Sequence, residues 1–114
     1  MPNPQNLTER SCKPCEGGVP PLDAAAAIQL LRALHADWSI SEDGQWIRRR
    51  FDFSGFNRTM GFVNALAWIA NTEGHHPDLE VHYGYCVVNY TTHAINGLSE
   101  NDFICAAKID RLAV

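Results

Sequence analysis

Glu73-Gly74-His75-His76-Pro77 stands where one sequence periodicity stops and another begins, and its reading decides the fold. Upstream, Phe56 to Asn71 repeats apolar residues at helical spacing through Phe56, Met60, Val63, Ala67 and Ala70, with Leu66 alongside. Gly74 and Pro77 close that helix, and Pro77 biases His76 towards extended backbone. Downstream, Leu79 to Tyr83 and Tyr85 to Thr92 read as two strands around Gly84. Asn96-Gly97 turns the chain, and Ser99-x-x-Asp102 has the pattern of a capping box opening a last helix through Leu112.

The first half of the chain follows the same grammar. Asp23 reads as the N-cap of a helix to His35, with Ala27, Leu30, Leu31 and Leu34 on one stripe. Trp38 and Ile40 alternate with polar residues, and Glu42-Asp43-Gly44 has hairpin-turn composition. Gln45 to Phe53 then sends Ile47, Phe51 and Phe53 to one face and Arg48, Arg50 and Asp52 to the other. The order helix, strand, strand, helix, strand, strand, helix predicts an α+β two-layer domain over residues 22–114. Its sheet is four-stranded and antiparallel, with the helices on one face. Residues 1–21, rich in proline, glycine and polar groups, read as a flexible, irregular arm. A small sheet with open edges predicts a homo-oligomer.

Composition narrows the function. With 114 residues, 46% apolar and 19% charged, the chain has the balance of one ordinary soluble domain. A net charge of -4 argues against a nucleic-acid surface, and strand alternation splits Arg48-Arg49-Arg50 between two faces. No apolar run approaches the ~20 residues of a membrane span. Met1 to Leu7 lacks the basic and apolar regions of a secretory signal, so a cytoplasmic location with reduced cysteines is the expectation. Cys12 and Cys15 form a Cys-x-x-Cys pair amid Pro14, Gly17, Gly18, Pro20 and Pro21, while Cys86 and Cys105 stand alone. The pair reads as two free thiols on a tail, with a metal shared between subunits as the alternative.

Little else here is reactive except imidazole. There is no phosphate-cradling glycine loop and no Gly-x-Ser-x-Gly elbow. His75 and His76 are adjacent, and in extended chain their side chains diverge, which is poor geometry for one metal ion. His35 and His82 read as ordinary surface or core histidines. His75, His76 and His93 sit at a helix-to-strand corner and a strand end, where a scaffold presents groups to a ligand. Asp102 reads as the N3 acid of the last helix, and Tyr83 and Tyr90 as half-buried strand aromatics.

Taken in order, His75-His76-Pro77, Tyr83, His93 and Asp102 resemble the pterin-4a-carbinolamine dehydratase family. The segment Thr92-His93-Ala94-Ile95-Asn96-Gly97-Leu98-Ser99-Glu100-Asn101-Asp102 is similar to that family's Thr-His…Gly-Leu-Ser-x-x-Asp stretch. Phe51-Asp52-Phe53, Phe56-Asn57-Arg58 and Gly61-Phe62 resemble the junction before it, so the likeness spans about residues 20 to 113. The family commonly has an acid four positions before the first histidine, where this chain has Asn71; Glu73, two residues later, is the carboxylate left to replace it.

The resemblance implies dehydration of 4a-hydroxytetrahydropterins to quinonoid dihydropterin and water, by general acid–base catalysis with no metal and no further cofactor. It implies His75 and His93 as donors to the leaving hydroxyl and His76 as acceptor of the N5 proton or as a group orienting the pterin. His75, His76, Pro77, Thr91, Thr92, His93, Ala94 and Ile95 are the expected pterin contacts, with Glu73, Tyr83 and Asp102 in support. The expected partners are a pterin and further copies of the chain, as dimer or tetramer, without nucleic acid or membrane. Two alternatives remain: a dimerisation module for transcription factors, as in animal members of that family, and a metal-dependent hydrolase.

Overall fold

The computed structural model describes residues 4–14 and 19–112. Its helices are α1 (Ala24–Leu31), α2 (Phe56–Glu73) and α3 (Glu100–Asp110), and its strands β1 (Ser39–Ile40), β2 (Ile47–Asp52), β3 (Asp78–Val81) and β4 (Tyr85–Tyr90). The strands form one sheet in the order β1-β2-β4-β3, every neighbouring pair antiparallel. This is the α+β architecture that the periodicities predict.

Side-chain alternation decides which face of the sheet is covered. Along β2, Ile47, Arg49 and Phe51 are buried while Arg48, Arg50 and Asp52 are exposed. Arg49 survives on the apolar side because its guanidinium meets Asp110 Oδ1 at 2.7 Å and lies over the Phe51 ring. Asp110 also accepts from Trp38 Nε1 and from the His35 backbone N–H, tying the end of α3 to the β1 approach. That bond helps explain why α1 ends at Leu31, short of His35: the chain continues as tight turns that leave Leu34 buried and deliver His35 to Asp110.

The local stop signals act as read. Asp23 caps α1 through the Ala26 N–H. Gly74 ends α2 in the left-handed region at φ 66°, returning its N–H to Ala70 O, and His75 N–H reaches the same carbonyl. Asn96 takes the left-handed conformation at the following turn, after a 3-10 turn His93–Ile95.

The arm corrects the expectation of irregular chain. Pro4–Glu9 forms a 3-10 helix packed on α3, and Leu7 is only 1% exposed within the core. The physical reason lies in α3, whose residues Asn101 to Ala107 are all buried. A helix that is buried all round needs cover on more than one side, and the arm packed against it supplies part of that cover. Cys15 and its glycines lie outside the described residues, so the Cys-x-x-Cys pair is seen only through Cys12. No helix among the described residues is long and apolar enough to cross a membrane.

Candidate active site

The stop at Gly74 places His75 and His76 on a short corner between α2 and β3, facing the turn that follows β4. An open cleft of about 610 Å³ lies there, lined by Gly74, His75 and His76 on one side and Thr91, Thr92, His93 and Ala94 on the other. Glu73 and Cys12-Lys13-Pro14 of the arm complete the lining. The three histidines expected to act together therefore share one concavity, although eighteen or fewer positions of chain separate them in sequence terms.

His75 is the most constrained of them. Its Nε2 donates to Asp102 Oδ1 at 2.6 Å, and its ring stacks on Tyr90 with centroids 5.4 Å apart and planes 8° from parallel. Asp102 is fully buried at 0% exposure, and its other oxygen accepts from Thr92 Oγ1 at 2.8 Å and from the Ser99 N–H at 2.9 Å. One carboxylate thus caps α3 and orients an imidazole, with donors enough to hold its charge away from water. Burial opposes a charged His75 ring, but the Asp102 hydrogen bond and charge outweigh it and raise the pKa above the ordinary histidine value. With Nε2 turned to Asp102, Nδ1 is the nitrogen left for a ligand.

His76 has a different partner. Its Nε2 donates to Asn71 Oδ1 at 3.0 Å, on the exposed side of the corner. Asn71 is the position where the likeness to the family lapsed, and it is the residue that meets the second histidine. His93, exposed on the 3-10 turn, packs edge-on against Trp46 at 5.6 Å between centroids.

Several expected residues take other places. Glu73 bonds to no imidazole among the described residues; its carboxylate accepts from Lys108 Nζ at 2.6 Å and from the Cys12 N–H at 2.8 Å, and Lys108 holds its pKa low. Tyr83 stands 74% exposed at the β3–β4 turn beside Phe56, away from the cleft, where Gly84 turns the chain. Pro77 and Ile95 flank the cleft without lining it. Thr91, Thr92 and Ala94 do line it, although the Thr91 hydroxyl is occupied by Gln45 O and the Thr92 hydroxyl by Asp102 and Ser99.

Asn71, Tyr90, Trp46, Ser99 and Asn101 escaped the sequence reading as site residues. For Ser99 the capping pattern was a usable signal, since its N–H shares the carboxylate that holds His75. Among the described residues no three His, Cys, Asp or Glu side chains gather closely enough to hold a metal ion.

Comparison with known proteins follows the same outline. The family pattern described as pterin 4 alpha carbinolamine dehydratase matches residues 20–112. A Nitrosomonas europaea protein, provisionally named a pterin-4-alpha-carbinolamine dehydratase, is 54% identical over 98% of this chain and 97% of its own length. A Legionella pneumophila (strain Corby) protein with the same provisional name is 53% identical, covering 96% of each chain. Among solved structures, a Brucella melitensis transcriptional coactivator/pterin dehydratase superposes with a TM-score of 0.78 at 31% identity, over 82% of this chain and 99% of that one. A pterin dehydratase-like protein described as a RuBisCO assembly factor in the alpha-carboxysome gives 0.60 at 25% identity, over 69% and 92%.

Proposed function

The chain belongs to the pterin-4a-carbinolamine dehydratase family, and from that premise we propose that it eliminates water from 4a-hydroxytetrahydropterins, with the three histidines of the cleft moving the protons. The observation that carries the reading is the His75–Asp102 pair, an imidazole pinned by a buried carboxylate on the edge of a cleft that two more imidazoles share.

The elimination needs one proton delivered to the hydroxyl on C4a and one removed from N5. The raised pKa keeps a larger share of His75 protonated near neutrality, and its Nδ1–H is the donor to the departing oxygen. His93 is the second donor on the opposite wall of the cleft. The C–O bond breaks as the N5 lone pair closes onto C4a, water leaves, and N5 gives up its proton. In the neutral His76 ring, a proton held on Nε2 against Asn71 Oδ1 leaves the Nδ1 lone pair to accept that proton. Thr91, Thr92 and Ala94 with the corner backbone contact the flat ring. No metal or cofactor enters this proton economy.

Dehydration of a chemically generated carbinolamine, followed for wild type and for His75→Ala, His76→Ala and His93→Ala, tests the reading. Losses of roughly 10²–10⁴-fold are expected where a proton donor or acceptor is removed. Near-wild-type rates in all three variants would discard it.

A partner-binding role is the second reading, favoured by the coactivator and assembly-factor descriptions of the two structural neighbours. Comparing turnover with partner capture by the same preparation separates the two. Homo-oligomerisation belongs to the proposal as well. β1 and β3 leave open edges, and Trp68 is 70% exposed on α2, so light scattering on the purified chain should give more than a monomer mass.

A further inference from the structure

The family match starts at residue 20, yet three residues before it line the cleft: Cys12, Lys13 and Pro14. Their placement is built rather than incidental. Asn101, on the first turn of α3, turns its whole carboxamide to the Lys13 backbone: Oδ1 accepts the Lys13 N–H at 3.0 Å and Nδ2 donates to Lys13 O at 2.6 Å. A side-chain amide here plays the part of a neighbouring strand, satisfying both polar groups of one residue. Glu73 accepts the Cys12 N–H at 2.8 Å and is itself fixed by Lys108. Leu7 in the core and the Arg10–Glu100 ion pair at 2.5 Å hold the arm just upstream. Asn101 is 7% exposed and Glu73's side chain 10%, so both bonds form where water competes poorly.

We propose that Cys12-Lys13-Pro14 is a fixed third wall of the pterin cleft, and that Asn101 and Glu73 are positioning residues acting through it. Glu73 immediately precedes Gly74-His75-His76, so one residue sets both the arm and the start of the histidine corner. Without this wall the cleft has two sides, and a flat heterocycle gains freedom to slide relative to the proton donors. Loss of that confinement weakens binding and orientation together.

The inference rests on the pterin reading above, and the structure supplies a means of testing it apart. Cys12 Sγ and Cys105 Sγ are in contact at 3.5 Å, behind the same wall. Diamide takes two electrons and two protons from the thiols, becoming a hydrazine as an S–S bond of about 2.05 Å forms. The bond ties the arm to α3 independently of Asn101.

The experiment measures binding of 7,8-dihydrobiopterin to wild type and Asn101→Ala, together with alkylation of Cys12 by iodoacetamide. Asn101→Ala is expected to bind about tenfold more weakly and to alkylate faster, with diamide closure returning affinity to within about twofold of wild type. Lys13→Pro, which deletes one bonded N–H at an exposed position, gives the same loss without touching α3 should Asn101→Ala misfold. Unchanged affinity in a folded variant overturns the wall, as does a loss that the closed disulfide fails to restore. Wild type that does not bind the pterin sinks the functional reading; wild type that binds while the variants stay unmoved sinks only the wall.

Discussion

His75 and His76 are neighbours in the chain, yet their rings meet opposite surroundings. His75 points into protein, stacked on Tyr90 and bonded to a carboxylate with no exposed surface; His76 points outward to an uncharged amide oxygen. A carboxylate favours the imidazolium and so makes a proton donor that persists towards neutral pH, against a desolvation cost that works the other way. An amide oxygen carries no full charge and orients the His76 ring by one hydrogen bond. In the proposed mechanism, residue type alone does not assign acid and base. The oxygen behind each ring does.

The largest effect should come from removing the buried side of the pair. His75→Ala is expected to lower kcat/KM for carbinolamine dehydration by roughly 10²–10⁴-fold, measured by stopped-flow absorbance. Asp102→Asn keeps the shape and removes the charge. It should cost about tenfold near neutral pH and move the alkaline limb of the pH–rate profile downward, because His75 then gives up its proton earlier. Asn71→Asp sharpens the contrast from the other side by giving His76 a carboxylate like its neighbour's. A protonated base cannot accept the N5 proton, so the rate should fall roughly threefold to tenfold with KM little changed.

The smallest effect is on stability. The folded His75 pKa lies above its unfolded value, so protonation favours the native state. That contribution is whole below about pH 6.5, the unfolded pKa, and is lost as pH rises through the raised folded value. Urea unfolding of wild type and His75→Gln should accordingly show a stability gap that narrows with rising pH; a gap that widens would reverse the assignment.

What the sequence disclosed divides along the same line. Signals carried by neighbouring residues were legible: the Asp23 cap, the Gly74 stop, the alternation of Arg48, Arg49 and Arg50, and the pattern that put Asp102 at the third position of α3. Each of these rests on backbone geometry within a few residues. The gathering of His75, His76 and His93 in one cleft came through the family likeness and the corner and strand-end positions. Asn71 read as a missing acid because a lone amide has no spacing rule, and its bond to His76 exists only once the helix end is placed. Tyr83 was expected at the site, but the turn at Gly84 leaves it exposed beside Phe56. The arm was opaque for a further reason. Leu7 is a single apolar residue among polar ones, and the Asn101 bonds that hold Lys13 span 88 positions of chain. The consecutive apolar run Phe103 to Ala107 did carry a hint, since a helix buried on every side needs a cover.

In the proposed mechanism one buried carboxylate holds one imidazole as an acid, and a heteronuclear NMR titration of the His75 ring reads this directly. In the wild-type protein the ring should titrate above the ordinary value of about 6.5, with the last proton on Nε2, and Asp102→Asn should lower that midpoint. A wild-type midpoint at or below the ordinary value, or one that Asp102→Asn leaves in place, would contradict it.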